Sequence, residues 1–208
     1  SLGQSRTICD PPERFHGELV RVIAEPDEGP YRRYSLTETG ISPMALPGQP
    51  GGMYTADGLE HNPRGTPSSM SADHVAQTQK RLHKLHAFDY GDYWAQVTGH
   101  GHIALITWGS ATGAAHEAAE RLTAAGRPAR VIALRLIAPL RHAALAEALQ
   151  GAEQILVVEQ NQGAQLYHYL HAEQALPAGA RSFARPGPLP LRPGEIVAAI
   201  LAHQAKEH

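Results

Sequence analysis

Two arginines near the start of this sequence stand in the segment best suited to contact an anion. Tyr31, Arg32 and Arg33 are followed by Thr37, in a stretch interrupted by proline and glycine. A guanidinium can bind a carboxylate or a phosphate through two parallel N–H groups. We therefore expect these four residues near a substrate or, as the favoured reading, at an anchor between this loop and a neighbouring subunit.

Two polar turns farther along the chain each follow an apolar run. Ser110 lies in the turn 109–113 (GSATG), while Glu159 and Asn161 lie in the turn 159–163 (EQNQG). Because free N–H groups at a helix start attract anions, these three residues predict a possible anion or interface contact. The structural alternatives are that a hydroxyl side chain caps the first helix and that Asn161 or Gln162 caps the second.

Other kinds of site have little support in the sequence. Thirteen histidines occur, but none of their close pairs has a third ligand at a recognisable spacing, so no metal site is predicted. Cys9 is the only cysteine and cannot by itself hold an iron–sulfur cluster. No nucleophile elbow of the G-x-S-x-G type occurs, and no catalytic residue is predicted. The basic run 80–84 (KRLHK) reads as a solvated helix face.

The overall charge gives no reason to expect nucleic acid or an anionic membrane as a partner. The 208 residues carry a formal net charge of −2. No apolar run approaches the roughly 20 residues that span a bilayer. We expect a cytoplasmic protein.

The second half, 101–208, alternates short apolar runs with helical patterns. The runs are continuously apolar, which is typical of parallel strands covered on both faces. The pattern predicts an α/β domain with a small, mostly parallel sheet flanked by helices. The predicted strands are Ile103–Thr107, Val131–Leu134, Ile155–Val158 and Ser182–Ala184, and the predicted helices are Thr112–Ala125, His142–Leu149, Gly163–Leu176 and Glu195–His203.

The first half, 1–100, is polar, rich in glycine and proline, and poor in periodic segments. Val20–Ala24 predicts a strand, and Asp73–His86 predicts a helix with a thin apolar stripe of Val75, Leu82 and Leu85. Residues 30–71 lack a regular pattern but contain many large apolar side chains. We expect this irregular segment to wrap over protein supplied from elsewhere, with a linker at 98–102.

Taken together, several of these motifs resemble a known family. They are YRRYSLTETGISPMALPG at 31–48, EHNPRG at 60–65, the helix with Lys80, Arg81 and Lys84, TWGSATGAAHEA at 107–118, LRLIAPL at 134–140 and ILVVEQNQGAQL at 155–166. The chain resembles the alpha subunit of the 2-oxoacid:ferredoxin oxidoreductases, most of all the 2-oxoglutarate type. Its second half resembles the transketolase C-terminal-like domain of that subunit, and its first half resembles the tail of the thiamine pyrimidine-binding domain.

The resemblance implies an enzyme segment that is not catalytic alone. The whole enzyme would oxidatively decarboxylate a 2-oxoacid with coenzyme A, giving acyl-CoA, CO2 and reduced ferredoxin. Thiamine diphosphate, Mg2+ and [4Fe–4S] clusters would be held by the complex and none by this chain alone. The implied partners are the N-terminal part of the alpha subunit, the beta subunit and ferredoxin or a similar acceptor, in a hetero-oligomer.

The family's activating glutamate and its GDG…N magnesium segment have no match in this sequence, and 89–92 (DYGD) departs from the second. Two other functions therefore stay open. One is the C-terminal region of a pyruvate dehydrogenase or transketolase-like enzyme. The other is a non-enzymatic assembly module.

Overall fold

The computed structural model describes residues 21–25 and 30–204, and for residues 203 and 204 it describes the backbone only. The chain divides into two compact units between Phe88 and Asp89. Each unit is described by itself. Within the described residues, no helix has the length and apolar character needed to cross a bilayer.

The second unit is an α/β domain. Its strands are β1 (Ala95–Gly99), β2 (Ile103–Trp108), β3 (Ala129–Leu134), β4 (Gln154–Glu159) and β5 (Arg181–Ala184), and its helices are α2 (Thr112–Ala124), α3 (His142–Ala148), α4 (Gln165–Ala172) and α5 (Pro193–Gln204). Short 3-10 turns cover Gly91–Trp94 and Gly109–Ala111. The helix of the first unit, Ser71–Ala87, is α1.

The five strands form one sheet in the order β1-β3-β2-β4-β5. Strand β1 is antiparallel to β3, and every other neighbouring pair is parallel. The chain leaves β2 toward β3 on one side and leaves β4 toward β5 on the other side. The carboxyl ends of β2 and β4 therefore form the topological switch point, where open α/β sheets place their ligands.

Two apolar layers cover the sheet because alternate residues of each strand face opposite sides. Ile103 and Leu105 pack with α2 and α5, whereas Ala104 and Ile106 pack with α3 and α4. The central strands are buried on both faces, which explains their continuous apolar runs. This outcome confirms the predicted fold class.

The first unit is organised around α1, with almost no regular structure before it. Ile23 and Met44 form one isolated bridge, and His61 and Pro67 form another. Of the predicted strand Val20–Ala24, Val20 lies outside the described residues, and the remainder makes only the bridge to Met44.

The structure differs from the predicted boundaries in several places. The division falls at Phe88 rather than near residue 100, because 95–99 form β1 and pair with β3 instead of serving as a linker. Helix α4 covers Gln165–Ala172, a shorter span than predicted, since Ala164 adopts a left-handed conformation with φ of 47°. On α5, Ile196 and Ile200 are fully buried, whereas Leu201 is 43% exposed.

Candidate functional site

Two of the four predicted loop residues hold the loop itself together. The Tyr31 hydroxyl donates to the Pro43 carbonyl at 2.9 Å and accepts from the Ala45 N–H at 2.8 Å. The Thr37 hydroxyl donates to the Ile41 carbonyl at 3.1 Å. Both side chains are therefore committed to shaping the loop, which leaves little capacity for a ligand.

The two arginines take different positions. Arg32 is exposed. Arg33 is partly buried, and its guanidinium carbon lies 5.9 Å from the ring centroid of Tyr34 and 6.0 Å from that of Tyr54. A cation over aromatic faces is held in place while its N–H groups stay available at the edge.

The inward face of α1 is polar. Gln77 is almost fully buried and donates from Nε2 to the Tyr34 carbonyl at 2.8 Å. One turn later, Lys80 donates to the Ser42 hydroxyl, which in turn donates to the Ser35 carbonyl at 2.7 Å. Gly40 also lies against this face, and a Cβ there would meet the Lys80 carbonyl at 2.8 Å. Hydrogen bonds, rather than apolar contacts, join the loop to the helix.

The basic run 80–84 is solvated as predicted except at Lys80, since Arg81, Leu82, His83 and Lys84 are exposed. Lys80 is partly buried, and burial lowers the pKa of its ammonium, with further lowering by Arg33, Lys84 and Arg81. Arg81 forms two hydrogen bonds with Glu60, at 2.9 and 3.2 Å. These bonds, together with one from His74, hold the pKa of the Glu60 carboxyl at about 2.

His61 completes the aromatic part of the first unit. Its ring stacks on Tyr34 with 4.3 Å between centroids and only 6° between planes. Its Nε2 is 3.1 Å from Asp57 Oδ1 but makes no hydrogen bond there, because distance alone does not align the N–H. Burial between Tyr34 and the loop fits a packing role.

In the second unit, Ser110 and Asn161, which belong to two separately predicted turns, lie near each other. They line a cleft of about 320 Å³ with Trp108, Gln160 and Gln165 at the carboxyl ends of β2 and β4. This is the switch point of the sheet. The cleft lining combines polar and apolar groups and contains no charged side chain. No hydroxyl side chain caps α2, whose N-cap residue is Ala111.

Glu159 lies beneath this cleft and is fully buried. Its carboxylate accepts the Leu166 N–H at 2.8 Å and the Tyr167 N–H at 3.0 Å, and it also accepts from the Asn161 amide. Asn161 also caps α4, because its Oδ1 accepts the Gln165 N–H at 3.3 Å, so Glu159 shares with Asn161 the capping role that was one alternative for Asn161 or Gln162. Because this carboxylate already occupies the helix N-terminus, an external anion has no place there.

A larger concavity of about 500 Å³ lies between α2 and the β1 side of the sheet. Four polar side chains, Thr98, His116, Glu120 and Thr123, are among its lining residues, and Thr98 Oγ1 lies 3.2 Å from His116 Nδ1. It is away from the carboxyl ends of the strands. We give the smaller cleft more weight for function, since position at the switch point and convergent side chains matter more than volume.

The side chains of this chain do not supply the ligands of an iron–sulfur cluster, one of the cofactors that the resemblance implies. A [4Fe–4S] cluster takes four thiolates, and the whole sequence has one cysteine. Within the ranges 21–25 and 30–204, no group of three or more His, Cys, Asp or Glu side chains is arranged to hold a metal ion. No catalytic step is assigned to this chain.

Sequence reasoning missed Ser42, Gln77, Lys80 and Glu60. One signal was available, because Gln77, Lys80, Arg81 and Lys84 recur at helical spacing and must share a face. The expectation that Val75, Leu82 and Leu85 would face inward concealed it. The contacts of Ser42 and Glu60 depend on loop geometry, which no periodic pattern reveals.

Comparison with known proteins agrees with this architecture. Residues 92–191 match the family model described as the transketolase C-terminal domain. The second unit is a domain of this type, and its five-stranded sheet is mostly parallel, as the sequence predicted.

Relatives extend the similarity into the first unit. A 2-oxoacid:ferredoxin oxidoreductase alpha subunit from Saccharolobus solfataricus is 30% identical over 154 residues, covering 72% of this chain and 24% of that protein. Subunit alpha of 2-oxoacid:ferredoxin oxidoreductase 2 from Aeropyrum pernix is 32% identical over 157 residues, covering 70% of this chain and 23% of that protein. This chain is a homologue of these alpha subunits and spans about a quarter of their length.

One solved structure is similar across both units. It is the 2-oxoglutarate:ferredoxin oxidoreductase from Magnetococcus marinus, with 2-oxoglutarate, coenzyme A and succinyl-CoA bound. The match has a TM-score of 0.70 and 32% identity, covering 86% of this chain and 32% of that one. The homologues are oxidoreductase subunits, consistent with this chain being a segment of an enzyme complex.

Proposed function

We propose that this chain is part of the alpha subunit of a thiamine-diphosphate-dependent 2-oxoglutarate:ferredoxin oxidoreductase. The enzyme would convert 2-oxoglutarate and coenzyme A to succinyl-CoA and CO2 and pass the electrons to ferredoxin. The observation that carries the proposal is the similarity of 86% of this chain, at 32% identity, to a structure of an enzyme with that substrate and product bound.

The chain's own part in this enzyme is assembly. Tyr31, Thr37 and Glu159 already make local hydrogen bonds, and the described residues contain no group of three or more His, Cys, Asp or Glu side chains that could hold a metal ion. Thiamine diphosphate, its Mg2+ and the clusters would accordingly be held by the rest of the alpha subunit and by the beta subunit.

Helix α1 provides a surface for that assembly. Because its polar side faces the loop, Val75 and Leu82 lie on the opposite side of the helix and are 48% and 56% exposed. An apolar stripe left in water at this exposure is typical of a protein-binding face. We assign its occupant as another part of the same enzyme, since about three quarters of the length of the alpha-subunit relatives lies outside this chain.

The function is tested on the native complex. The chain is purified with its bound partners, and 2-oxoglutarate-dependent viologen reduction is measured with and without coenzyme A. Reduction that requires both compounds, together with the visible absorption of iron–sulfur clusters, is the expected result. A complex that turns over 2-oxoglutarate without passing electrons to viologen would contradict the proposal and favour a dehydrogenase or transketolase-like enzyme.

The docking face is tested by Leu82→Glu in the same complex. Burying a glutamate in an apolar interface is costly, so we expect co-purified partner and viologen reduction both to fall at least tenfold. Ala87→Glu adds the same charge to an exposed position of the same helix on a side away from Val75 and Leu82, and it should leave both near the wild-type level. Equal behaviour of the two variants would exclude this face as the interface.

A further inference from the structure

Two lysines on the loop-facing side of α1, Lys80 and Lys84, and one arginine of the loop, Arg33, lie close enough for their charges to interact. Lys80 and Lys84 are one turn apart, and the charges of Lys84 and Arg33 both act on Lys80. Among the described residues, none of the three forms an ion pair. The neighbouring cation, Arg81, is different because Glu60 neutralises it with two hydrogen bonds.

Two of these cations are held in place before any ligand arrives. The Lys80 ammonium is partly buried and donates to the Ser42 hydroxyl, whose own proton is committed to the Ser35 carbonyl. The Arg33 guanidinium lies near the rings of Tyr34 and Tyr54. Solvated charges normally extend into water to lower their mutual repulsion, whereas each of these two is held by a contact within the first unit. Fixed donors lose little entropy on binding, which is the property of a preorganised site.

The combined positive charge of Arg33, Lys80 and Lys84 indicates which class of ligand would bind. A single carboxylate would leave most of the positive charge unbalanced. A phosphate group carries about −1.5 to −2 charge at neutral pH and offers three acceptor oxygens. Guanidinium and ammonium groups are the side chains that recognise such a group, the first through paired N–H donors and the second as a point charge. We propose that Arg33, Lys80 and Lys84 form a binding site for the phosphate group of a small molecule.

The chain allows a direct measurement, because it has only three lysines, Lys80, Lys84 and Lys206. Reductive methylation with 13C-formaldehyde keeps their charge and gives each one its own NMR signal, assigned through single Lys→Arg variants. The midpoint of each signal is followed against pH in the full chain, with inorganic pyrophosphate as the probe. Succinate at equal ionic strength serves as the carboxylate comparison.

We expect pyrophosphate to raise the Lys80 midpoint by about one pH unit while Lys206 moves little, because a bound anion favours the charged ammonium. Arg33→Gln and Lys84→Gln should each weaken pyrophosphate binding about tenfold, whereas the exposed Arg64→Gln should leave it unchanged. Lys84 is exposed, so its variant tests the site even if Arg33→Gln perturbs the loop. Equal shifts of Lys80 and Lys206, an equal response to succinate, or unchanged binding by Lys84→Gln would each overturn the proposal.

Discussion

Glu60 is the charged residue on which the loop of the first unit most depends. It accepts two hydrogen bonds from Arg81, and His74 Nδ1 lies 3.0 Å from Oε2. These contacts join the segment around residue 60 to α1. The two segments are too far apart in the sequence for a local residue pattern to predict the contact. A carboxylate with this many donors is stabilised in its charged form.

The Glu60–Arg81 pair makes the stability of the first unit depend on pH. The carboxyl pKa falls from 4.5 to about 2 on folding, so its contribution is complete above pH 4.5 and is lost as pH falls toward 2. Glu60→Gln should cost about 1 kcal/mol at neutral pH, and its difference from wild type should shrink over that acidic window.

Amide hydrogen exchange of His61 and its neighbours measures this effect, since both tryptophans, Trp94 and Trp108, lie in the second unit. Glu38→Gln removes an exposed carboxylate from the same unit and is the control. A constant difference between wild type and Glu60→Gln down to low pH would refute the electrostatic explanation.

Gly101 is required by the turn between β1 and β2. It has a φ of 134°, and a Cβ there would lie 2.1 Å from the Pro128 carbonyl oxygen. Gly101→Ala should destabilise the second unit by about 2 kcal/mol or more, because alanine is strained at this φ and its Cβ would clash with the Pro128 carbonyl. Gly113→Ala, on α2 in open space, should instead stabilise it by about 0.5–1 kcal/mol. Urea unfolding followed by tryptophan fluorescence measures both, and loss of stability in the two variants alike would remove the steric argument.

At the scale of elements, helix α4 depends on a residue that comes before it in β4. The buried Glu159 carboxylate supplies acceptors to the Leu166 and Tyr167 N–H groups, which have no partner inside the helix. Glu159→Ala leaves these donors buried and should cost about 2 kcal/mol in urea unfolding. The exposed Glu153→Ala should change stability by less than about 0.5 kcal/mol. A small effect at Glu159 would mean that the Asn161 side chain or water takes over the cap.

The central strands and the helices of the second unit were predictable because burial on both faces leaves continuous apolar runs at short intervals. Strand β1 was not, since its residues are partly exposed and Gln96 and Thr98 interrupt the pattern. Helix α1 was predictable in extent but not in orientation. Apolar residues normally mark the inward face, and here Gln77 is buried while Val75 and Leu82 are exposed. At the sheet edge, Ser110 and Asn161 meet because each follows one of the neighbouring parallel strands β2 and β4, a proximity that the two separate turn motifs did not predict.

At the scale of the whole molecule, the two units differ in what stabilises them. The second has two apolar layers around a sheet, whereas the first is joined largely by hydrogen bonds between a loop and the polar side of α1. Apolar burial supplies most folding free energy, so the second unit should be independently stable. The first unit should gain more from the protein that covers the exposed side of α1.

A fragment of residues 89–208 should therefore fold alone, with one cooperative urea transition at the midpoint that the tryptophans report in the full chain. The matched comparison is a fragment of residues 101–208, which starts at the boundary that the sequence suggested. It lacks Trp94 and the whole of β1, including Ala95. Trp94 and Ala95 pack with Ile132 and Leu134 in the apolar layer on the α3 and α4 side of the sheet. Without them β3 becomes an open edge and one end of that layer is exposed, so this fragment should unfold at lower urea or aggregate. Equal stability of the two fragments would show that β1 is an accessory strand and that the domain begins where the apolar runs do.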